Sequence, residues 1–147
     1  MSHFTLEELC DSDTALRRGI DNQPDADAKA NLYILLAGLE RVREVLGKPM
    51  YISSGFRGPK LNAAVGGSSK SAHMKGLAAD FTCPEFGSPF EVTSMIMAHS
   101  KPIGFMQLIQ EGRWVHIAFP DVDQKPEYEV LTAHFSNGGV TYTKGLA

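Results

Sequence analysis

The stretch Met106-Gln-Leu-Ile-Gln-Glu-Gly-Arg-Trp-Val-His-Ile-Ala-Phe119 decides how the rest of the chain is read. Met106 to Gln110 and Arg113 to Phe119 read as strands joined by a tight Glu111-Gly112 turn, the pattern of an antiparallel hairpin. Side chains alternate along a strand, so Trp114, His116 and Ala118 share one face and Val115, Ile117 and Phe119 the other. A histidine and a tryptophan can therefore share a cleft over the sheet.

Working outward, Leu77 to Cys83 is a further strand whose alternation sets Ala78, Asp80 and Thr82 opposite Leu77, Ala79 and Phe81. Met50 to Ser54 reads as a short strand, broken by Gly55, Gly58 and Pro59 before a helical turn around Leu61 to Val65. Gly66-Gly-Ser-Ser-Lys70 is a loop leading into His73. Leu32, Leu35, Leu36, Leu39, Val42 and Leu46 recur at three- and four-residue spacing, which predicts a long helix stopped by Gly47-Lys-Pro49. Ser88-Pro-Phe-Glu91 combines an N-cap, a first-turn proline and a capping-box glutamate, so a second helix should run from about Ser88 to His99. Thr5 to Glu8 and Ser12-Asp13 offer two caps near the start, predicting one or two short helices over residues 5–20 that act as a flap or lid. In the tail, Tyr128 to Phe135 and Val140 to Thr143 resemble another hairpin around Asn137-Gly138, with a frayed end as the alternative. Helices outside a mostly antiparallel set of strands make this an α+β fold, and 147 residues without a repeat or linker make one domain over residues 1–147.

Composition narrows the partners. A net charge of -3 carries no basic excess, so nucleic acid and anionic membranes are not expected partners. No stretch reaches the ~18 apolar residues of a membrane span. The start lacks the basic and apolar runs of a secretory signal, so synthesis in the cytoplasm is expected, with another exit route for any work outside it. Cys10 and Cys83 form no CxxC pair and read as ordinary buried small residues.

The chemistry concentrates in Ser71-Ala-His73-Met-Lys-Gly76-Leu-Ala-Ala-Asp80 and Trp114-Val-His116. His73, Asp80 and His116 are ligand-type side chains that could meet over one sheet surface. Two histidines and a carboxylate suit a catalytic zinc, because three protein ligands leave the fourth position open to water. His3, His99 and His134 fit no such pattern and read as surface or helix-end histidines.

Ser53-Ser-Gly-Phe-Arg57, Leu61-Asn62 with Gly66-Gly67, the Ser71-x-His73-x-x-Gly76-x-Ala78-x-Asp80 string and Trp114-Val-His116 together resemble the M15 zinc peptidases. The likeness lies with the phage and bacterial branch of D-Ala-D-Ala carboxypeptidase-like and endolysin-like enzymes, and runs from Phe4 to His116. It implies a hedgehog/DD-peptidase-like fold and one zinc ion on His73, Asp80 and His116, with the peptide part of peptidoglycan as substrate. It also implies a catalytic base a few residues ahead of the last histidine, where Glu111 stands, with a solvated turn glutamate as the alternative. Arg57 matches the family's Ser-Gly-aromatic-Arg pattern and would stabilise the carbonyl oxygen or anchor a substrate carboxylate; a loop-holding arginine is the alternative. Ser71 would touch substrate or orient His73, or else simply cap a loop. One departure stands out: relatives often carry an acidic residue just before the glutamine that is Gln107 here, where this chain has Met106.

The expected function is a zinc-dependent peptidase of peptidoglycan stem peptides or crosslinks, monomeric, from a phage or prophage, acting on the cell wall in the periplasm. Two alternatives stand beside it: a catalytically silent metal- or peptidoglycan-binding module, and a D-Ala-D-Ala dipeptidase. A dipeptidase needs a closed cleft, a crosslink endopeptidase an open groove.

Overall fold

A computed structural model describes residues 2–147. The chain begins with α1 (Leu6–Cys10), α2 (Asp13–Arg18) and α3 (Ala26–Leu46), followed by β1 (Tyr51–Ser54), α4 (Pro59–Ala64), α5 (Ala72–Lys75) and β2 (Ala78–Thr82). It continues with α6 (Pro89–Ala98), α7 (Ser100–Ile103), β3 (Gln107–Gln110), β4 (Val115–Ala118), β5 (Glu129–Ser136) and β6 (Gly139–Lys144). The fold is α+β, as the patterning predicts.

The six strands form one sheet in the order β1-β2-β4-β3-β5-β6. The pairings are antiparallel except for β3 with β5, which run parallel because the chain crosses from β4 back to the far side of β3. That crossing inserts the C-terminal hairpin at a sheet edge.

The helix caps follow local chemistry. Asp25 accepts from the Ala28 amide at 2.8 Å to start α3, and Gly47 ends it in the left-handed region. Ser88 and Glu91 make the reciprocal capping box at the start of α6, which accounts for Glu91 structurally. Thr5 and Ser12 cap α1 and α2.

The core lies on one face of the sheet. Leu32, Leu35 and Leu39 of α3 and Ile96 of α6 pack with Phe81, Leu108 and Ile117 of the strands, all fully buried. Burying each such side chain contributes roughly 1.5–3 kcal/mol, so this face holds the strands in register. The other face carries the polar side chains.

Two expectations need correction. The first helix is not a flap: Phe4 and Leu9 are buried in the main core, and the Phe56 amide donates to the Leu9 carbonyl at 2.7 Å. An amphipathic turn with a deeply apolar side has more to gain by docking than by hanging over a cleft. His73 is not in a loop but in α5, capped by Ser71 and ended by Gly76 at φ +78°. A side chain at Gly76 would place its Cβ 2.7 Å from the Ala28 carbonyl, so glycine lets this turn sit directly on α3.

Candidate metal centre and cleft

The sheet register builds the site. Asp80 of β2 lies opposite His116 of β4, and directly paired residues share a face, so the two side chains emerge side by side. Ile109 of β3 is the next partner across the same row. His73 arrives from above, because α5 leads straight into β2.

Hydrogen bonds set the ring orientations. His73 Nδ1 lies 2.7 Å from the Gly55 carbonyl, the contact of an Nδ1–H donor, which turns Nε2 toward Asp80 Oδ1 at 3.3 Å. His116 presents Nδ1 to the same Asp80 oxygen at 2.9 Å. The three ligand atoms lie within 4.8 Å of one another. In a tetrahedron with zinc bonds of about 2.0–2.1 Å, ligand atoms stand roughly 3.3 Å apart, so these residues fit such an ion with little movement. A backbone carbonyl behind a ligating histidine is the usual orienting partner for a metal site. Burial alone would raise the Asp80 carboxyl, but hydrogen bonds from His116 and His73 prevail and hold it well below the usual carboxylate range. Asp80 is therefore ionised at neutral pH.

The trio lies in an open cleft of about 580 Å³, whose lining also includes Arg57, Ser71, Glu111 and Trp114. Each residue singled out in the sequence thus comes to one place. Glu111 follows β3, its amide donating to the Trp114 carbonyl at 3.0 Å to close the turn. The Glu111 carboxyl is half-buried, and desolvation pushes it above its ordinary value, reinforced by the Asp80 charge and opposed by His116 and by a hydrogen bond with Tyr142.

Arg57 and Ser71 form one wall. Arg57 Nη2 donates to Ser71 Oγ at 3.2 Å, and its backbone amide donates to the His73 carbonyl at 3.1 Å. Ser71 also caps α5 by accepting from the His73 amide at 3.2 Å. Arg57 Nε and Trp114 Nε1 are buried donors with no hydrogen-bond partner among the described residues. Both residues belong to the cleft lining, and buried N–H groups are rarely left without an acceptor.

Sequence reasoning did not bring Tyr142, Phe135, Val140 or Gln107 to this cleft. The departure at Met106 has a counterpart: Gln107 Nε2 donates to Glu129 Oε1 at 2.7 Å, so a carboxylate from β5 stands beside that glutamine. Only the pairing of β5 alongside β3 reveals it.

The chain matches the family described as Peptidase M15 over residues 2–118. This chain belongs to the M15 peptidase family. It is also similar to a zinc D-Ala-D-Ala carboxypeptidase of Streptomyces albus G, with 38% identity over 81 residues, covering 53% of this chain and 30% of that protein. The chain thus spans under a third of this relative's length. The M15 match ends at β4, so the β5–β6 hairpin lies outside it. Among the described residues no helix is long and apolar enough to cross a membrane.

Proposed function

We propose that this M15 family member is a zinc-dependent peptidase that hydrolyses amide bonds in peptidoglycan peptides, and that it serves as a phage or prophage cell-wall lysis enzyme. The observation that carries the reading is the convergence of His73 Nε2, His116 Nδ1 and Asp80 Oδ1 beside a half-buried glutamate in one cleft. The M15 match and the likeness to a zinc D-Ala-D-Ala carboxypeptidase support the substrate class.

His73, Asp80 and His116 would hold one zinc ion, which when bound lowers the pKa of water toward ~7 and polarises a carbonyl. Glu111 takes the proton of the attacking water and passes it to the leaving amine nitrogen, a general base turned general acid. A carboxyl raised by desolvation suits both halves of that exchange better than a fully solvated one. Arg57 donates to the carbonyl oxygen as negative charge develops there, or to a terminal carboxylate of the substrate. Burial pulls its guanidinium down from its usual value while Asp80 opposes this, and it stays a cation. Ser71 holds Arg57 and caps the helix that carries His73, which makes it an orienting residue as well as a member of the wall.

The open form of the cleft favours a chain-like substrate over a free dipeptide, which would need enclosure at both ends. The test is digestion of purified peptidoglycan by the zinc-loaded protein and by Glu111→Ala, with mass analysis of the released fragments. New amino termini from the wild type alone are expected. Equal release by both would remove Glu111 as the base, and release by neither would favour a silent binding module.

A further inference from the structure

The C-terminal hairpin closes one side of the cleft with side chains of one face. Phe135 of β5 pairs with Val140 of β6, and Ala133 with Tyr142, so these four project together. Phe135, Val140 and Tyr142 all line the cleft that holds His73, Asp80, His116 and Glu111. A Cβ built on Gly112 would lie 3.4 Å from the Phe135 ring, which places that ring over the turn carrying Glu111. Phe135 and Tyr142 remain 60% and 47% exposed, so their rings are open to a bound peptide.

The hairpin is anchored for such a position. Thr132, buried at its base, donates to the Gly145 carbonyl at 2.7 Å and accepts from the Ala147 amide at 3.0 Å, while the parallel pairing with β3 fixes its register. His134 and Thr143 bond at 2.8 Å on the opposite face and leave the aromatic face to the cleft.

We propose that the β5–β6 hairpin is the second, substrate-contacting wall of this site: Phe135, Val140 and the ring of Tyr142 form an apolar shelf for the side chains of the bound peptide. The proposal rests on the peptidase reading and adds to it a specificity element outside the segment that defines the family match. In a cleft also lined by the polar Arg57 and Ser71, an apolar shelf suits a peptide whose backbone is polar and whose alanyl side chains are methyl groups.

Two variants test this. Trp114, the sole tryptophan, lines the cleft and reports binding by fluorescence. In a zinc-loaded Glu111→Ala background, Phe135→Ala should weaken binding of a synthetic stem pentapeptide ending in D-Ala-D-Ala by about tenfold. In the same background, Tyr142→Ala should weaken that binding several-fold, since its ring belongs to the same shelf. Unchanged peptide affinity in both variants would overturn the proposal. A wild type that binds the pentapeptide but releases no product from it or from peptidoglycan would overturn the peptidase reading, and the two binding measurements would still decide the wall.

Discussion

The β2–β4 pair and the β5–β6 hairpin face the same cleft but are built on opposite terms. In β2 and β4 every second side chain is sealed in the core, Phe81, Val115 and Ile117 being fully buried, so Asp80 and His116 have no freedom to slip in register. Every residue of β6 is exposed, and β5 buries little besides Thr132 and Ala133. Asp80 and His116, which must meet within ångströms, sit on the sealed pair, where a one-residue slip would turn a whole core face to water. The proposed substrate shelf sits on the exposed ribbon, where side chains can change at little cost in stability. The same division appears in the family match, which includes the first pair and stops before the second.

That contrast can be broken at several points. Glu111→Ala, at the junction of the two regions, should lower kcat by 10²–10⁴ while leaving zinc content unchanged, as expected for loss of a general base; a parallel loss of zinc would move Glu111 into the ligand set. In the sealed pair, Phe81→Ala should cost about 3–5 kcal/mol in urea unfolding, because a fully buried ring leaves a cavity behind Asp80. A smaller effect belongs to Asp80→Asn in the metal-free protein, about 1.5–3 kcal/mol at pH 7. Because the folded-state carboxyl of Asp80 is held below its ordinary value, its contribution is fully present above the unfolded value near ~3.9 and fades as pH falls through the folded one. The gap between wild type and Asp80→Asn should therefore narrow when unfolding is repeated at progressively lower acidic pH; a gap that widened would reverse the assigned sign. On the ribbon, Phe135→Ala should change stability by no more than about 0.5 kcal/mol, since the ring is mostly exposed. A loss of several kcal/mol there would make the hairpin part of the core and erase the comparison.

Local chemistry made much of the molecule legible. The leucine spacing of α3, the capping box at Ser88 and Glu91, and the alternation around Asp80 and His116 each follow from nearest neighbours in the chain, and the structure repeats them. His73 was readable as a ligand-type residue but not as a helical one, because four residues between a loop and a strand carry no periodicity. The docking of α1 also escapes the sequence: Leu9 looks like any apolar residue in a short amphipathic turn until Phe56 is seen to bond its carbonyl. The same holds for Tyr142. Its alternation marks a strand, but only the parallel pairing of β5 with β3 brings that strand to the cleft, and such long-range pairing leaves no local mark. The carboxylate beside Gln107 likewise comes from Glu129, distant in sequence and adjacent only across the sheet.

The central claim is that one zinc ion is held by residues the sheet register and α5 bring together. A crystal of the zinc-loaded protein, with diffraction recorded on either side of the zinc absorption edge, tests it most directly. The account predicts a single anomalous peak bounded by His73 Nε2, Asp80 Oδ1 and His116 Nδ1, within reach of Glu111 and facing Tyr142. A peak seated on other side chains, or none at the trio in a crystal grown with excess zinc, would contradict it.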